Sequence, residues 1–187
     1  MAVHLVRLHG LTATALGIGC IIAPLSLHGA LAADLPSKGE FRVTFTATVP
    51  APTKPISIGE NRMVLVNTAI MTAVNQGGSG LLHNMPGRCM SMTTLDAGAK
   101  TFEQHGFCDY VDAENDHVFE QFDFPVQQQV AATRGHGEWI GGTGKFAGVG
   151  GKFEIQTTRL NSPTEGATQV IGQKIGSYAV EKASASK

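Results

Sequence analysis

The chain has 187 residues, with 14 Lys and Arg against 15 Asp and Glu, and 23 of its residues are glycine. So nearly neutral a chain leaves no electrostatic footprint for nucleic acid, and no polybasic run is present for an anionic membrane surface. Small apolar and polar residues dominate over charge, a composition that suits a β-rich fold with many turns better than a helical bundle.

At the start, Arg7 sits between His4 and His9, and an apolar run follows from Leu11 to Leu27. Ala30-Leu31-Ala32 is a small-x-small site, and the polar ADLPSKGE comes directly after Ala32. That order is the secretory signal-peptide pattern, with cleavage expected after Ala32. An uncleaved membrane anchor is the alternative, and Pro24 and the cleavage site speak against it. Gly17 and the apolar residues after Cys20 disfavour lipidation there. Removal of residues 1–32 takes away Arg7 alone among the charges, leaving 155 residues and 13 Lys and Arg against 15 Asp and Glu. That is one domain with a sizeable core, periplasmic or secreted and with no membrane association after cleavage.

The rest of the chain breaks into about eight strand-like runs. In FRVTFTATV, Phe41, Val43, Phe45, Ala47 and Val49 alternate with Arg42, Thr44, Thr46 and Thr48, the signature of a strand with one buried face. PAPTKP then interrupts, since three prolines in six residues do not fit inside a sheet. Residues 61–75 match helix and strand periods alike; Val, Ile and Thr enrichment and the flanking QGGSG favour a strand. RCMSMTTL, TFEQHGFCDYV and HVFEQFDF follow, the last two joined by Asp112–Asp116, whose Asn and Asp suit a tight hairpin. QVAATRGHGEWI and GKFEIQTT flank a glycine stretch, and QVIGQKIGSYAVE closes the count before the polar KASASK, expected to be disordered. Eight short strands with no convincing helix predict an all-β fold, an eight-stranded antiparallel barrel in preference to a sandwich. Closure removes both edges, and eight strands leave room for one small ligand. The expected layout is a signal peptide at 1–32, a barrel domain at 33–182 and a disordered tail at 183–187.

Beyond the signal, Cys89 and Cys108 form an even pair, which in an exported protein favours a disulfide over a metal or nucleophilic site. The stretch GGTGKFAGVGG, Gly141–Gly151, is the segment most like a nucleotide motif. It fails the Walker A pattern, because Phe146 follows Lys145 and Trp139 holds the first glycine position. Gly142, Gly144 and Ala147 satisfy GxGxxA on paper, but the β-like sequence after them provides no helix to hold a pyrophosphate. No cofactor is expected. The turn reading remains, with Gly141, Gly142 and Gly144 bending a hairpin at a barrel end and Phe146 folding back as a plug beside Trp139.

Residues 137–155, GEWIGGTGKFAGVGGKFEI, resemble the GGTGxFxGxxG hairpin of the allene oxide cyclase and dirigent protein superfamily. They also resemble exported bacterial proteins that carry an allene-oxide-cyclase-like barrel. GFCDYVDAENDHVFEQF, residues 106–122, is similar to an acidic, Cys-containing hairpin of those bacterial proteins, less specifically. The resemblance implies an eight-stranded antiparallel, calycin-like barrel with a central cavity. It transfers no catalytic residue.

Three clusters could carry chemistry. Arg134, His136 and Glu138 share one strand face; inside a barrel they could polarise a carbonyl or move a proton, and outside they form a solvated stripe. Trp139, on the opposite face, prefers the interior. Glu120 shares a face with Val118, Phe122 and Phe124, where a carboxylate could serve as acid or base; a rim or bulge position is its bland alternative. Asp112, Glu114 and Asp116 mimic the start of a Ca²⁺ loop, but His117 stands where glycine is needed, so a solvated hairpin tip is expected and no metal. His83 and His105 stand alone in the sequence. There is no GxSxG, HExxH or CxxC. The expectation is a barrel that binds a small apolar or aromatic molecule. An isomerase or cyclase of the allene oxide cyclase or dirigent type is the first alternative, and a filled-barrel interaction protein the second.

Overall fold

A computed structural model describes residues 35–52, 54–163 and 165–181; the expected signal segment and the tail at 183–187 lie outside the described residues. Eight long strands form the wall: β1 (Lys38–Pro50), β3 (Arg62–Asn75), β4 (Met85–Asp96), β5 (Thr101–Val111), β6 (His117–Gln128), β7 (Ala132–Gly142), β8 (Val149–Leu160) and β9 (Ala167–Val180). A two-residue strand, β2 (Ile56–Ser57), pairs with β3 just after the proline break. All neighbours are antiparallel in chain order from β3 to β9, β9 pairs with β1, and β1 pairs with β3 to close the barrel. The closing seam runs from Val43↔Asn75 to Thr48↔Ile70. The ambiguous run 61–75 is therefore a strand, because Leu65, Met71 and Ala73 must face inward while Ile70 and Thr72 face out.

Alternation decides what lies inside. In β1, Phe41, Val43, Phe45 and Ala47 are buried, as their spacing predicts. Ring-bearing residues fit into a small barrel because glycines oppose them: Gly172 faces Phe45 across the β1–β9 ladder, and Gly106 faces Phe122 across the β5–β6 ladder. A side chain at either glycine would run into the ring. This is the large-against-small alternation a tapered interior demands.

The two ends of the barrel differ. At one end the rings of Phe41, Trp139 and Phe153 pack together, with centroids 4.4 to 5.8 Å apart. Phe146, Val149, Tyr178, Met85 and Val118 are also buried in the core. Leu81 and Leu82, in the connection from β3 to β4, are wholly buried. Asn75 ties that connection down, donating from Nδ2 to the Leu81 carbonyl at 2.8 Å and accepting from the Gly77 N–H at 2.9 Å. This end is solid.

The glycine stretch belongs to it. A single 3-10 turn, Gly144–Phe146, carries Phe146 into the core at 2% exposure. Gly144 has φ +51° and Gly148 φ +77°, conformations that favour glycine, and a side chain on Gly144 would collide with the Asp116 carboxylate. The Lys145 N–H instead donates to Asp116 Oδ2 at 3.1 Å, and Lys145 Nζ pairs with both Asp112 and Glu114. The loop does hold an anion, and the anion is the Asp116 carboxylate of the β5–β6 hairpin. The acidic trio that suggested a Ca²⁺ loop has Lys145 as its cation. Among the described residues no helix is long and apolar enough to cross a membrane.

Candidate functional site

The other half of the barrel encloses a cavity of about 820 Å³. Its mouth lies between the ends of β1 and β8, the start of β5 and the loops after β6 and β8, at Pro50–Pro52, Phe102, Gln129–Ala131, Arg159 and Gly166–Thr168. Its walls include Phe45, Leu65, Met71, Phe122, Phe124 and Ile155. Polar wall residues satisfy one another in pairs: Asn67 donates to Thr93 at 2.8 Å, Gln104 to Ser91 at 2.7 Å, and the hydroxyls of Thr133 and Thr157 meet at 2.6 Å. Each pair takes up one donor and one acceptor, so the wall is mainly apolar with a few polar groups set into it.

The floor is different. Cys89 and Cys108 stand directly opposite each other on β4 and β5 and form a disulfide, with Cα atoms 4.1 Å apart. Beside them Glu120 of β6 and Lys174 of β9, 1% and 2% exposed, form an ion pair across the interior. Both residues line the cavity. Lys174 Nζ also donates to the Tyr110 hydroxyl at 2.6 Å. Four rings, those of Phe45, Tyr110, Trp139 and Phe153, surround the ammonium with centroids 4.9 to 6.0 Å away. Aromatic faces present negative potential to a cation and replace part of its lost hydration.

Burial pushes the Lys174 amine below its ordinary value, and the charge and hydrogen bond of Glu120 oppose that without overcoming it. Burial pushes the Tyr110 hydroxyl well above its usual value, and the neighbouring Glu120 adds to the effect. Tyr110 therefore keeps its proton near neutrality. The floor presents Glu120 and Lys174 to the chamber, with the neutral phenol of Tyr110 buried behind them and in contact with Lys174. Such a set can hold and transfer a proton, and it can hydrogen-bond one polar end of an otherwise apolar molecule.

Glu120 is thus inside, despite a bulge between Phe119 and Glu120 in its pairing with β7. Arg134 and His136 are exposed and Glu138 half-buried, on the face of β7 opposite Trp139. Trp139 takes the interior, so the trio lies on the outer wall and does not join the floor. His136 there approaches Asp123 at 3.7 Å, and His105, isolated in sequence, lies 2.5 Å from the same carboxylate. Sequence reasoning missed Lys174 and Tyr110. The available signal for Lys174 was its parity with Val170, Gly172 and Tyr178; Ile171 and Ile175 on the opposite parity masked it.

Fold and site together define a closed β-barrel with one solid end, one cavity and a buried ion pair at their boundary. No family model matches the chain, and no curated protein matches it. Among solved structures, the chain is similar to that of a pterocarpan synthase dirigent protein, with 12% identity and a TM-score of 0.48 over 81% of this chain and 91% of that one.

Proposed function

We propose that the protein is an exported barrel that holds one small apolar or aromatic molecule in its cavity. The observation that carries this is the 820 Å³ chamber, open at one end and walled by apolar and self-paired polar residues. Its size falls in the range of small-molecule sites, roughly 300–1,000 Å³. Export is supported by the signal-like first 32 residues and by the disulfide, which persists in oxidising compartments. Turnover of the isomerase or cyclase type is a second reading, favoured by Glu120, Lys174 and Tyr110 meeting at the floor. There the wall would fold a reactive molecule and the floor would move one proton. A barrel filled along its whole length, acting only through its surface, is disfavoured by the cavity.

The test is native mass spectrometry of protein purified from the exported fraction without detergent. One stoichiometric small-molecule adduct that is apolar or aromatic on extraction is the expected result. A clean apo mass that stays unchanged against a library of phenolics and lipids would remove the binding reading. The same spectrum gives the start of the mature chain, expected at Ala33.

A further inference from the structure

The buried ion pair sits where a ligand's innermost atoms would lie. We propose that Lys174 captures carbonyl compounds: its Nζ forms an imine with the aldehyde or ketone group of a small apolar molecule, and Glu120 carries the protons. The inference rests on the cavity-binding reading and names the chemical class that the site would take.

Three features carry it. First, among the described residues Lys174 is the one lysine lining the cavity, and the only other charged groups there are Glu120 and, at the mouth, Arg159. The floor pair is neutral as a whole, so it favours an uncharged polar group over a second ion that would have to break the pair. Second, an amine attacks a carbonyl only when unprotonated. Burial already favours the neutral amine, and desolvation in an apolar pocket is one of the established ways a lysine becomes a nucleophile. Third, the proton acceptor is in place. A shift of one proton from Lys174 to Glu120 turns the ion pair into a neutral amine and a carboxylic acid without changing the net charge of the floor.

The steps balance. The Lys174 ammonium gives a proton to Glu120, and the freed lone pair attacks the carbonyl carbon, forming the C–N bond. The carbonyl oxygen takes the proton from Glu120, and the nitrogen then returns one of its own to the carboxylate, leaving a carbinolamine. Glu120 protonates the carbinolamine hydroxyl, the C–O bond breaks, and water leaves as the C=N bond forms. The product is a protonated imine facing the Glu120 carboxylate, so the original charge pairing is restored. Before attack the Tyr110 hydroxyl, 2.6 Å from Nζ, holds the nitrogen in position. No oxidant or reductant takes part.

The probe is 2-naphthaldehyde, with sodium cyanoborohydride to reduce any imine to a stable amine, followed by intact mass measurement and peptide mapping. 2-Naphthylmethanol, which has no carbonyl, reports cavity binding alone through quenching of the chain's single tryptophan, Trp139, whose ring lies 6.0 Å from Nζ. One adduct mapped to Lys174 is expected, absent in Lys174→Arg, with trapping slowed about a hundredfold in Glu120→Gln. If the alcohol quenches Trp139 but adducts form only at surface lysines, the imine is overturned and the cavity reading stands. If the alcohol does not quench and Lys174 is not labelled, both are overturned. Mapping in the unaltered protein keeps the test decisive should either variant fold poorly.

Discussion

At the scale of single residues, the floor is held by interactions that are costly to break one at a time. Lys174 and Glu120 are both almost wholly buried, so removing one leaves the other as an uncompensated charge. Lys174→Met is expected to lose about 3–5 kcal/mol of folding stability, whereas Lys174→Met with Glu120→Leu recovers most of it. Urea unfolding of the three proteins checks this, and equal losses in the single and double variants would show that the pair itself stabilises the fold. The comparison also bears on purpose. A pair that apolar residues can replace without loss is not required by the fold, which is the outcome the proposed binding role predicts.

Elements are joined by two fasteners. The disulfide links the paired strands β4 and β5 across a sequence separation of 19 residues. Its reduction is expected to cost about 3 kcal/mol in the chain-entropy account, read as a lower urea midpoint with the far-ultraviolet spectrum unchanged before the transition. The second fastener ties the turn after β7 to the tip of the β5–β6 hairpin through Lys145. Burial works to raise the Asp112 carboxyl, but hydrogen bonds from Lys145 and from the N–H groups of Asp116 and Glu114 outweigh it, so Asp112 lies below its ordinary value of 3.8. Burial works to lower the Lys145 amine, and hydrogen bonds with Asp112 and Glu114 outweigh it, so Lys145 lies above its ordinary 10.5. The lowered acid stabilises the fold above its unfolded value, and that contribution disappears as pH falls through its folded value. The raised base contributes below its unfolded value, and loses its effect as pH rises through its folded one. The clamp is therefore whole between about 3.8 and 10.5. Lys145→Met is expected to cost about 1 kcal/mol or less at neutrality, given the clamp's partial exposure, and to flatten the fall in stability below pH 4. An unchanged acid limb in that variant would remove the clamp from the account.

For the whole molecule, the division into a solid end and a chamber sets where motion is cheap. β1 pairs with β3 only as far as Thr48↔Ile70; toward the mouth that edge of β3 carries only the two-residue β2, while β4 stays paired along its other edge. The wall is thinnest at the mouth. Hydrogen exchange is expected to be fastest in residues 62–69 of β3 and the mouth loops, and slowest in Val43–Ala47, Ala73 and Tyr110 around the floor. Uniform protection along β3 would contradict a mouth that opens locally. A molecule bound in the chamber is expected to slow the mouth region most.

Much of this was legible in the residues. Strict alternation in FRVTFTATV, the Asp-Asn turn and the glycine hairpin specify strands and corners locally, because side-chain period and backbone φ are properties of a few neighbouring residues. Eight such strands, and an even pair of cysteines, point to a barrel and a disulfide before any coordinates. Glu120 was visible as a carboxylate on an apolar face, and Trp139 indicated that Arg134, His136 and Glu138 would be left outside. What alternation does not contain is which strands meet across the interior. Lys174 lies 54 residues from Glu120 and 64 from Tyr110, and glycines flank it on its own face. Only closure of β1 onto both β3 and β9 brings the three together. The chamber is likewise a tertiary outcome: Leu81 and Leu82 fold in to fill one end, and Pro50 and Pro52 line the open mouth at the other. The sequence determined the wall; the order in which the wall closes decided the site.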